Sequence, residues 1–486
     1  MIVFTRALAR LLVSVLRRSL IESGARWQAP WLLCRTDGEG LMIYAEAGMV
    51  GVCYRAPGRP APDAMAFNAA VLEAVGGRRG DEPIVFESVG KRKGRARWQN
   101  GNVPRLQEFE TRSPDQVPQC PALPKHWSPQ PPSYLLAFDE AAQTAAGEAA
   151  KFAMTRIQLH GKLGQIVATD SKQALLQSGF RFPWEDSVLV PSLRAFGRRE
   201  LNQENVIRIG RTEKMVCLQA GSWSFFLGID TTGRFPPVHD IIPRPKSITC
   251  RAVINPEDAQ FLAEALPRLP GRKDEFSPIT LDLGRTVTVR ARAAESETLT
   301  EIELARSTSQ GTAQRLAVNR DYLERALRLG LPELQVVDAA KPVVFQDKER
   351  LYLCMTLLGD HILAPRADAL RISSATDRKA EKKEPVAIPE SVPSRRIPIM
   401  ATRNNHHAPQ DQPINGRSEN SAEHGAAQSG GPNVMQLLSE VELIRGVLQD
   451  ALGRVNHLHS ALKQFRRQGA AMENAMKSLR GLNFAG

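Results

Sequence analysis

What most restricts the fold of this 486-residue chain is a recurrence: one order of elements is met three times between residue 1 and about residue 360. The order is strand, helix, hairpin strands, helix, strands. The clearest copy is the middle one. There TRIQLHGKLGQIVATDSKQALL, Thr155 to Leu176, alternates apolar and polar residues and is broken by Gly161 and Gly164. That pattern predicts two hairpin strands ending at Thr169-Asp170. A helical stretch, Leu135 to Ala150, precedes it, and SVLVPSLRAFGRREL supplies a strand and a second helix after it. VIRIG, MVCLQA and WSFFLGID read as strands of period two, and RFPPVHDIIP, Arg234 to Pro243, is a proline-bounded turn that closes the unit.

The outer copies follow the same plan. The first has a meander from Trp27 to Ala56 with turns at Asp37-Gly38 and Gly48, a helical stretch Met65 to Val75, strands around the basic turn KRKGRARWQNGN, and a Pro-rich link, Pro114 to Pro132. The third opens with Asn255 capping a helix that has Pro256 at its first position. It continues through ITLDLG, TVTVRAR and EIELARS to a second helix capped by Asn319, and ends in the hairpin KPVVFQDKERLYLCMTLL. A repeat of roughly 120 residues is far longer than a solenoid period, so each copy is a domain rather than a stacking unit. The units are expected at 1–125, 133–245 and 247–360.

The first 20 residues, MIVFTRALARLLVSVLRRSL, look superficially like a secretory leader, but Arg6, Arg10, Arg17 and Arg18 interrupt the apolar run. They read instead as a short strand, Ile2 to Phe4, and a helix capped by Thr5. At about 100° per residue Arg6, Arg10 and Arg17 lie within roughly 40° of one line, opposite Leu8, Leu11, Leu12, Val15 and Leu16. An Arg-rich helix on a membrane surface has the same pattern. No apolar run approaches the roughly 20 residues of a membrane span. The excess of 64 Lys+Arg over 52 Asp+Glu, a net +12, favours a polyanionic partner, although a solvated basic surface gives the same number. Six cysteines are spread singly, with no C-x-x-C pair and no histidine at metal-ligand spacing, which reads as reduced, buried thiols of a cytoplasmic protein.

Past Asp360 the composition changes. Residues 369–432 are rich in Pro, Ser, Asn and Gln with few large apolar side chains, and are expected to be a disordered tether. In 433–482 a heptad appears, with Val434, Val441, Leu448, Val455, Leu462, Gly469 and Met476 at a, and Leu437, Ile444, Ala451, Leu458, Phe465, Met472 and Leu479 at d. Only Gly469 breaks the seam, so a coiled-coil helix is expected, with a single amphipathic helix docked on the body as the alternative.

Catalytic signatures are missing: there is no P-loop, no G-x-G-x-x-G after a strand, no H-E-x-x-H and no G-x-S-x-G. Asp170 and Asp230 end strands, where an aspartate more often forms a turn than acts as an acid. The chain is therefore expected to be no enzyme and to need no cofactor or metal. Nucleic-acid binding asks for rows of Lys and Arg spaced to meet phosphates. The candidates are Arg6, Arg10 and Arg17 on the first helix, Arg194 and Arg198 at i and i+4, and Arg325 and Arg328 at i and i+3.

The VATD strand followed about 65 residues later by FPPVHDIIP, together with NRDYLERAL, KPVVF and LYLCMTL in the third copy, resembles the bacterial DNA sliding clamp, the β subunit of DNA polymerase III. The resemblance covers residues 1 to about 360 in element order and matches residue by residue only in short stretches. It implies an α+β fold of three clamp domains in an arc, each with two helices and two small antiparallel sheets. Two head-to-tail copies would close a ring with helices inside. Arg26 and Arg156 would then also face duplex DNA. It further implies a cleft between the second and third domains that docks short peptides of polymerases or repair proteins. The matching positions are Leu159, Thr169, Ser171, Lys172 and Ala174; Pro236, Asp240 and Ile241; and Pro342, Leu353, Met355, Thr356 and Leu357. Plain packing between domains would use the same residues.

Departures from that pattern are Ser171-Lys172-Gln173-Ala174 where the family has Gly-His-Arg-Leu, and Asp240 where an arginine is common. Acidic residues on two helices, Asp139, Glu140 and Glu148, and Glu257, Asp258 and Glu264, would make a ring lumen unevenly charged. The expectation as a whole is a clamp-like, nucleoid-associated homodimer that encircles or tracks double-stranded DNA, with a clamp loader as a possible further partner. The alternative is a scaffold that keeps the fold, does not bind DNA, and acts through its coiled coil.

Overall fold

The computed structural model describes residues 1–21, 27–77, 82–147, 152–197, 201 and 206–375. The expected coiled coil, 433–482, and nearly all of the expected tether lie outside the described residues, as do Arg26 and Arg198.

Three modules are built from one eight-strand plan. The first runs Ile2–Thr5, Trp31–Asp37, Gly40–Ala47, Val50–Pro57, Asp63–Asn68, Pro83–Gly90, Lys93–Asn100 and Val103–Arg112. The second runs Trp127–Gln130, Arg156–His160, Gln165–Thr169, Gln173–Gln177, Ser187–Pro191, Ile207–Arg211, Met215–Ala220 and Trp223–Gly228. The third runs Cys250–Val253, Pro278–Leu283, Val287–Ala291, Thr300–Leu304, Gln314–Asn319, Glu333–Val336, Val343–Gln346 and Arg350–Cys354, with an extra strand, Thr308–Gly311, beside its first. In every module strands one, six, seven and eight form one antiparallel sheet in the order 1-6-7-8, and the others form a second in the order 5-2-3-4. The recurrence read from the sequence is therefore a recurrence of topology.

Helices sit at matching points. α1 (Arg6–Leu20), α3 (Tyr134–Thr144) and α4 (Pro256–Ala265) follow the first strand of their modules, and α2 (Ala70–Val75) and α5 (Arg320–Arg328) follow the fifth. Local chemistry starts three of them where expected. Thr5 Oγ1 accepts from Leu8 N, Asn255 Oδ1 from Glu257 N, and Asn319 Oδ1 from Asp321 N. Part of the second helix expected after Ser187–Pro191 lies outside the described residues.

The modules are not closed sheets set side by side. The fourth strand of one pairs with the eighth of the next, antiparallel both times: Val50–Pro57 with Trp223–Gly228, and Gln173–Gln177 with Arg350–Cys354. These seams fuse small sheets into one of twelve strands and one of nine. The helices cover the inner face of the sheets. One core cluster runs unbroken from Ile2 through Phe67, Phe86, Tyr134 and Phe196 to Leu227, and the core of the third module takes in Leu175 from the seam strand. Buried polar groups at the second seam are satisfied: Tyr352 Oη donates to Gln173 Oε1 at 2.7 Å, and Gln177 Nε2 to the Ala137 carbonyl at 2.6 Å. On the outer face the segment that leaves each eighth strand covers the seam, Val117 and Cys120 over the first, and Phe235, Val238 and Ile242 over the second.

Four expectations are corrected. Met65 to Asn68 is not helix but the end of a strand paired with Trp31–Asp37; Asn68 Oδ1 accepts from Ala70 N, and the helix starts only there. The helix expected over Leu135 to Ala150 is α3, which ends at Thr144. The second module starts inside the expected link, because Trp127–Gln130 pairs with Ile207–Arg211; a proline, Pro129, is tolerated because this is an edge strand. Finally, Leu370–Ser373 is a strand paired with Thr300–Leu304, so the third module outruns its expected end at 360 and takes the first residues of the expected tether.

Arg6 ties the first module together. Its Nε donates to the Val75 carbonyl at 3.1 Å and its Nη1 to Glu82 Oε2 at 2.5 Å and the Gln99 carbonyl at 3.1 Å, joining the end of α2 to the 83–100 hairpin. Its side chain is 9% exposed. Breaking one partner of a buried ion pair costs about 3–5 kcal/mol. Arg6→Ala is thus expected to lower the unfolding free energy by roughly 3 kcal/mol, read as a drop in urea midpoint. An unchanged midpoint would show that the pair is not a structural tie.

Candidate nucleic-acid interface and partner groove

The arginines singled out from the sequence divide into three groups. Arg6 is buried and Arg325 is spent on structure, so both are corrected as candidates for phosphate contact. Arg325 Nη2 donates to the Glu140 carbonyl at 2.6 Å and to Thr144 Oγ1 at 2.7 Å, placing a guanidinium at the C-terminal end of α3, where the helix dipole favours a cation. It bolts the second module to the third, and burial holds its pKa below the ordinary arginine value. In the second group Arg10, Arg17, Arg194 and Arg328 are exposed. Arg17 pairs with Glu73 at 2.8 Å and lies over the Trp27 ring, and Arg328 pairs with Glu324 one turn back, contacts that cost a surface side chain little to give up. Arg156 makes the third group, half-buried, pairing with Asp230 at 3.1 Å and reaching Met49 Sδ across the first seam.

A cleft of about 450 Å³ lies between the first and second modules, lined among others by Arg18, Arg156 and Arg194 with Thr155 and Ser192. Arg18 of α1, Arg156 of a strand and Arg194 of the loop after Ser187–Pro191 thus line one polar hollow. Arg18 is the functional candidate that the helical line through Arg6, Arg10 and Arg17 misses. It stands 100° round the helix from Arg17, and only the approach of the second module decides that this flank meets other cations. The acidic residues that were expected to spoil the surface are partly internal: Asp139 and Asp258 are buried, and Asp258 accepts from Ser307 Oγ and Arg306 N.

The expected partner cleft falls on the second seam. Thr169, Ala174, Leu353 and Val344 are directly opposite one another across four strands, so they share one sheet face. Val167, Leu176 and Val238 of the closing turn join Ala174, Leu353 and Val344 in a small apolar cluster. Leu159 is opposite Ile166 and faces the other way, into the main core; one residue of register separates the two faces, and this cleft assignment is corrected. Pro342 and Thr169 are buried, and Thr169 Oγ1 donates to the Gln173 carbonyl within the turn. What the surface offers is Ser171, Lys172, Asp240, Ile241 and Met355, with Pro236 half-buried behind them. Met355 N donates to the Lys172 carbonyl, and Thr356 and Leu357 then cross to Val318 and Ala317 of the third module.

Phe276, half-exposed, adds an aromatic face that a periodicity reading passes over, because it stands alone in a polar loop. The Lys172 ammonium lies 5.8 Å from its ring centre. Ser171, Phe276 and Ser277 all have positive φ, at 80°, 61° and 42°, so the rim is held in a conformation few residues choose freely. Asp170 and Asp230 accept from the backbone N–H groups two and three residues on, as turn formers do.

Among the described residues no group of His, Cys, Asp and Glu is arranged to hold a metal, and no helix is long and apolar enough to cross a membrane. No protein-family model and no curated protein matches the chain. Solved structures do match. The sliding clamp of Pseudomonas aeruginosa, DNA polymerase III subunit beta bound to griselimycin, aligns at a TM-score of 0.61 with 18% identity over 73% of this chain and 98% of its own. The beta subunit from Streptococcus pyogenes aligns at 0.61 with 14% identity over 73% and 100%, and that from Thermotoga maritima at 0.60 with 17% over 75% and 99%. The chain has the sliding-clamp fold on a sequence far from those of the solved clamps.

His239 of the closing turn stacks edge-on against His160 at 6.1 Å and meets Gln165 Oε1 at 3.0 Å. Burial, then the facing His160, holds its pKa below the ordinary 6.5. An unfolded histidine takes its proton near 6.5 and the folded one only at lower pH, so the stability this contact contributes is present above 6.5 and lost as pH falls through the folded value. Amide protection factors over Val238 to Ile242, with the intrinsic fall of exchange on acidification divided out, are expected to drop as pH falls in the wild type and to stay level in His239→Gln; parallel curves for the two proteins would refute the role.

Proposed function

We propose that this protein is a non-catalytic, clamp-like tether: it lies on or encircles duplex DNA through its arginine-lined surface and carries partner proteins on the groove at the second seam. The observation that carries the reading is that the alignment takes in 98–100% of the solved clamps' length. The presence of Arg18, Arg156 and Arg194 in the lining of one cleft supports DNA as the polyanion, since phosphate contacts need cations close together and no base readout. Two copies arranged head to tail would close a ring, and a sequence-independent ring suits a protein that must move along its track. A loading factor would be needed to open such a ring around closed DNA.

The test for DNA is salt dependence. Each phosphate contact contributes about 0.9 to the slope of log K against log salt, so Arg10→Ala, Arg18→Ala and Arg194→Ala combined are expected to lower the slope by roughly 3 and weaken binding to every sequence alike. Retention on nicked circular duplex, lost on linearisation, would separate encirclement from surface contact. A triple variant that binds as the wild type does would remove the arginine surface from consideration.

The groove takes an extended peptide bearing a Leu or Phe, which would bury against Ile241, Met355 and the Phe276 ring. Burying one such side chain is worth about 1.5–3 kcal/mol, so Met355→Glu is expected to weaken such a peptide by about tenfold or more. Fluorescence anisotropy with a labelled Leu-Phe-containing peptide measures this, and DNA affinity should be unmoved by the same change.

A further inference from the structure

Repeat topology specifies which strands are left over. Each seam joins the fourth strand of one module to the eighth of the next, so after two seams the unmatched strands are the eighth of the first module, Val103–Arg112, and the fourth of the third, Thr300–Leu304. If copies join head to tail as the preceding reading has them, these two edges are what they join by. Val103–Arg112 is open. Among the described residues it pairs on its outer side with Ala66 and Phe67 alone, at Arg112 and Thr111, and Val103 and Leu106 are more than half exposed.

The other edge is already taken. Leu370–Ser373 runs along Thr300–Leu304 in parallel, where both internal seams are antiparallel, so it is a different interaction in the place of a seam. Its ends are fastened. Leu370 N donates to the Leu299 carbonyl and Ser374 N to the Glu303 carbonyl. Ser374 Oγ donates to the buried Asp258 Oδ1 at 2.6 Å and accepts from Ala305 N at 2.9 Å, while Arg306 Nη1 donates to the Ser374 carbonyl at 3.0 Å. Further back, Arg366 Nη1 donates to the Glu297 carbonyl. The strand's own apolar side chains stay partly in water, Leu370 at 57% and Ile372 at 38% exposure. A short segment held by specific polar contacts rather than by a core is placed with accuracy and released at low cost.

We propose that residues 366–374 are an edge guard: the chain closes the third module's free edge with its own strand, and head-to-tail joining to Val103–Arg112 of a second copy requires the guard to leave. The guard and the incoming strand compete for the same row of backbone groups on Thr300–Leu304, so apparent self-association is weakened by the fraction of molecules that hold the guard in place.

The experiment uses the full chain. Ile372→Pro removes a ladder donor from the guard, and Ser374→Gly removes the hydroxyl that Asp258 holds. Leu106→Asp sets a charge on the opposite edge. Molar mass by light scattering across a concentration series is expected to show self-association tighter by about tenfold or more in Ile372→Pro and in Ser374→Gly, the factor by which closed molecules outnumber open ones. That gain is expected to vanish when Leu106→Asp is added, whereas association through the C-terminal heptads would not respond to Leu106. Two results would each overturn the guard: neither release variant gains association, or the gain survives Leu106→Asp. Duplex binding by the same proteins is read separately. If they bind DNA but do not gain association, the guard fails and the clamp-like reading stands; if none binds DNA, that reading fails whatever the masses are.

Discussion

Strand pairing between modules is the constraint on which everything else rests. An eight-strand module of this kind has two edges with unpaired N–H and C=O groups, and such edges attract any available strand. Here the fourth strands of the first two modules meet the eighth strands of their successors, which pairs the backbone at both seams. The side chains at the seams are chosen accordingly. Tyr54 packs edge-on against Trp223 across the first, and the second buries Gln173, Gln177 and Tyr352 with their hydrogen bonds made. Covering segments from the eighth strands then dry the outer faces, so that each seam is closed on both sides.

The seams also explain how the charge of +12 is used. Several arginines are internal fasteners. Arg320 is fully buried and donates to five carbonyls between Leu266 and Pro278, an arrangement open to guanidinium because its donors spread in a plane. Arg290 is held between Asp282 and Glu301 on the third module's outer sheet. Arg6 and Arg325 do comparable work in the first module and at the second junction. Among the exposed cations, Arg18 and Arg194 line one hollow at the first junction together with Arg156. A count of basic residues thus overstates the surface available to a polyanion, while their grouping at a junction raises its local strength.

The two proposed interaction surfaces are made by neighbouring seams, and neither exists within a single module. The arginine cleft needs α1 of the first module beside the strand ends of the second. The groove needs the turn at Asp170 from the second module beside Met355 and Phe276 of the third. Both proposed surfaces belong to junctions, and the added strand at Leu370–Ser373 occupies one of the two edge positions that the repeat leaves over.

Much of the local structure was legible in the order of residues alone, because it depends on contacts a few positions apart. Thr5, Asn255 and Asn319 cap helices wherever the chain takes them, Asp170 and Asp230 make turns with their own neighbours, and alternation marks the strands of the Thr155 to Leu176 hairpin. Recurrence of these signals was enough to indicate three modules of one kind. What the tertiary structure decided is which neighbour each face receives. Periodicity places Arg6 and Arg10 on one helical line, yet the 83–100 hairpin covers the first and leaves the second in water, and it cannot say that Arg18 will meet Arg156 and Arg194. Alternation likewise puts Leu159 on a face without saying that this face is the core, and no local pattern predicts that Trp127–Gln130 or Leu370–Ser373 will find a strand to pair with. Backbone hydrogen bonds between strands far apart in sequence carry no side-chain signature, so their partners are set only when the edges meet.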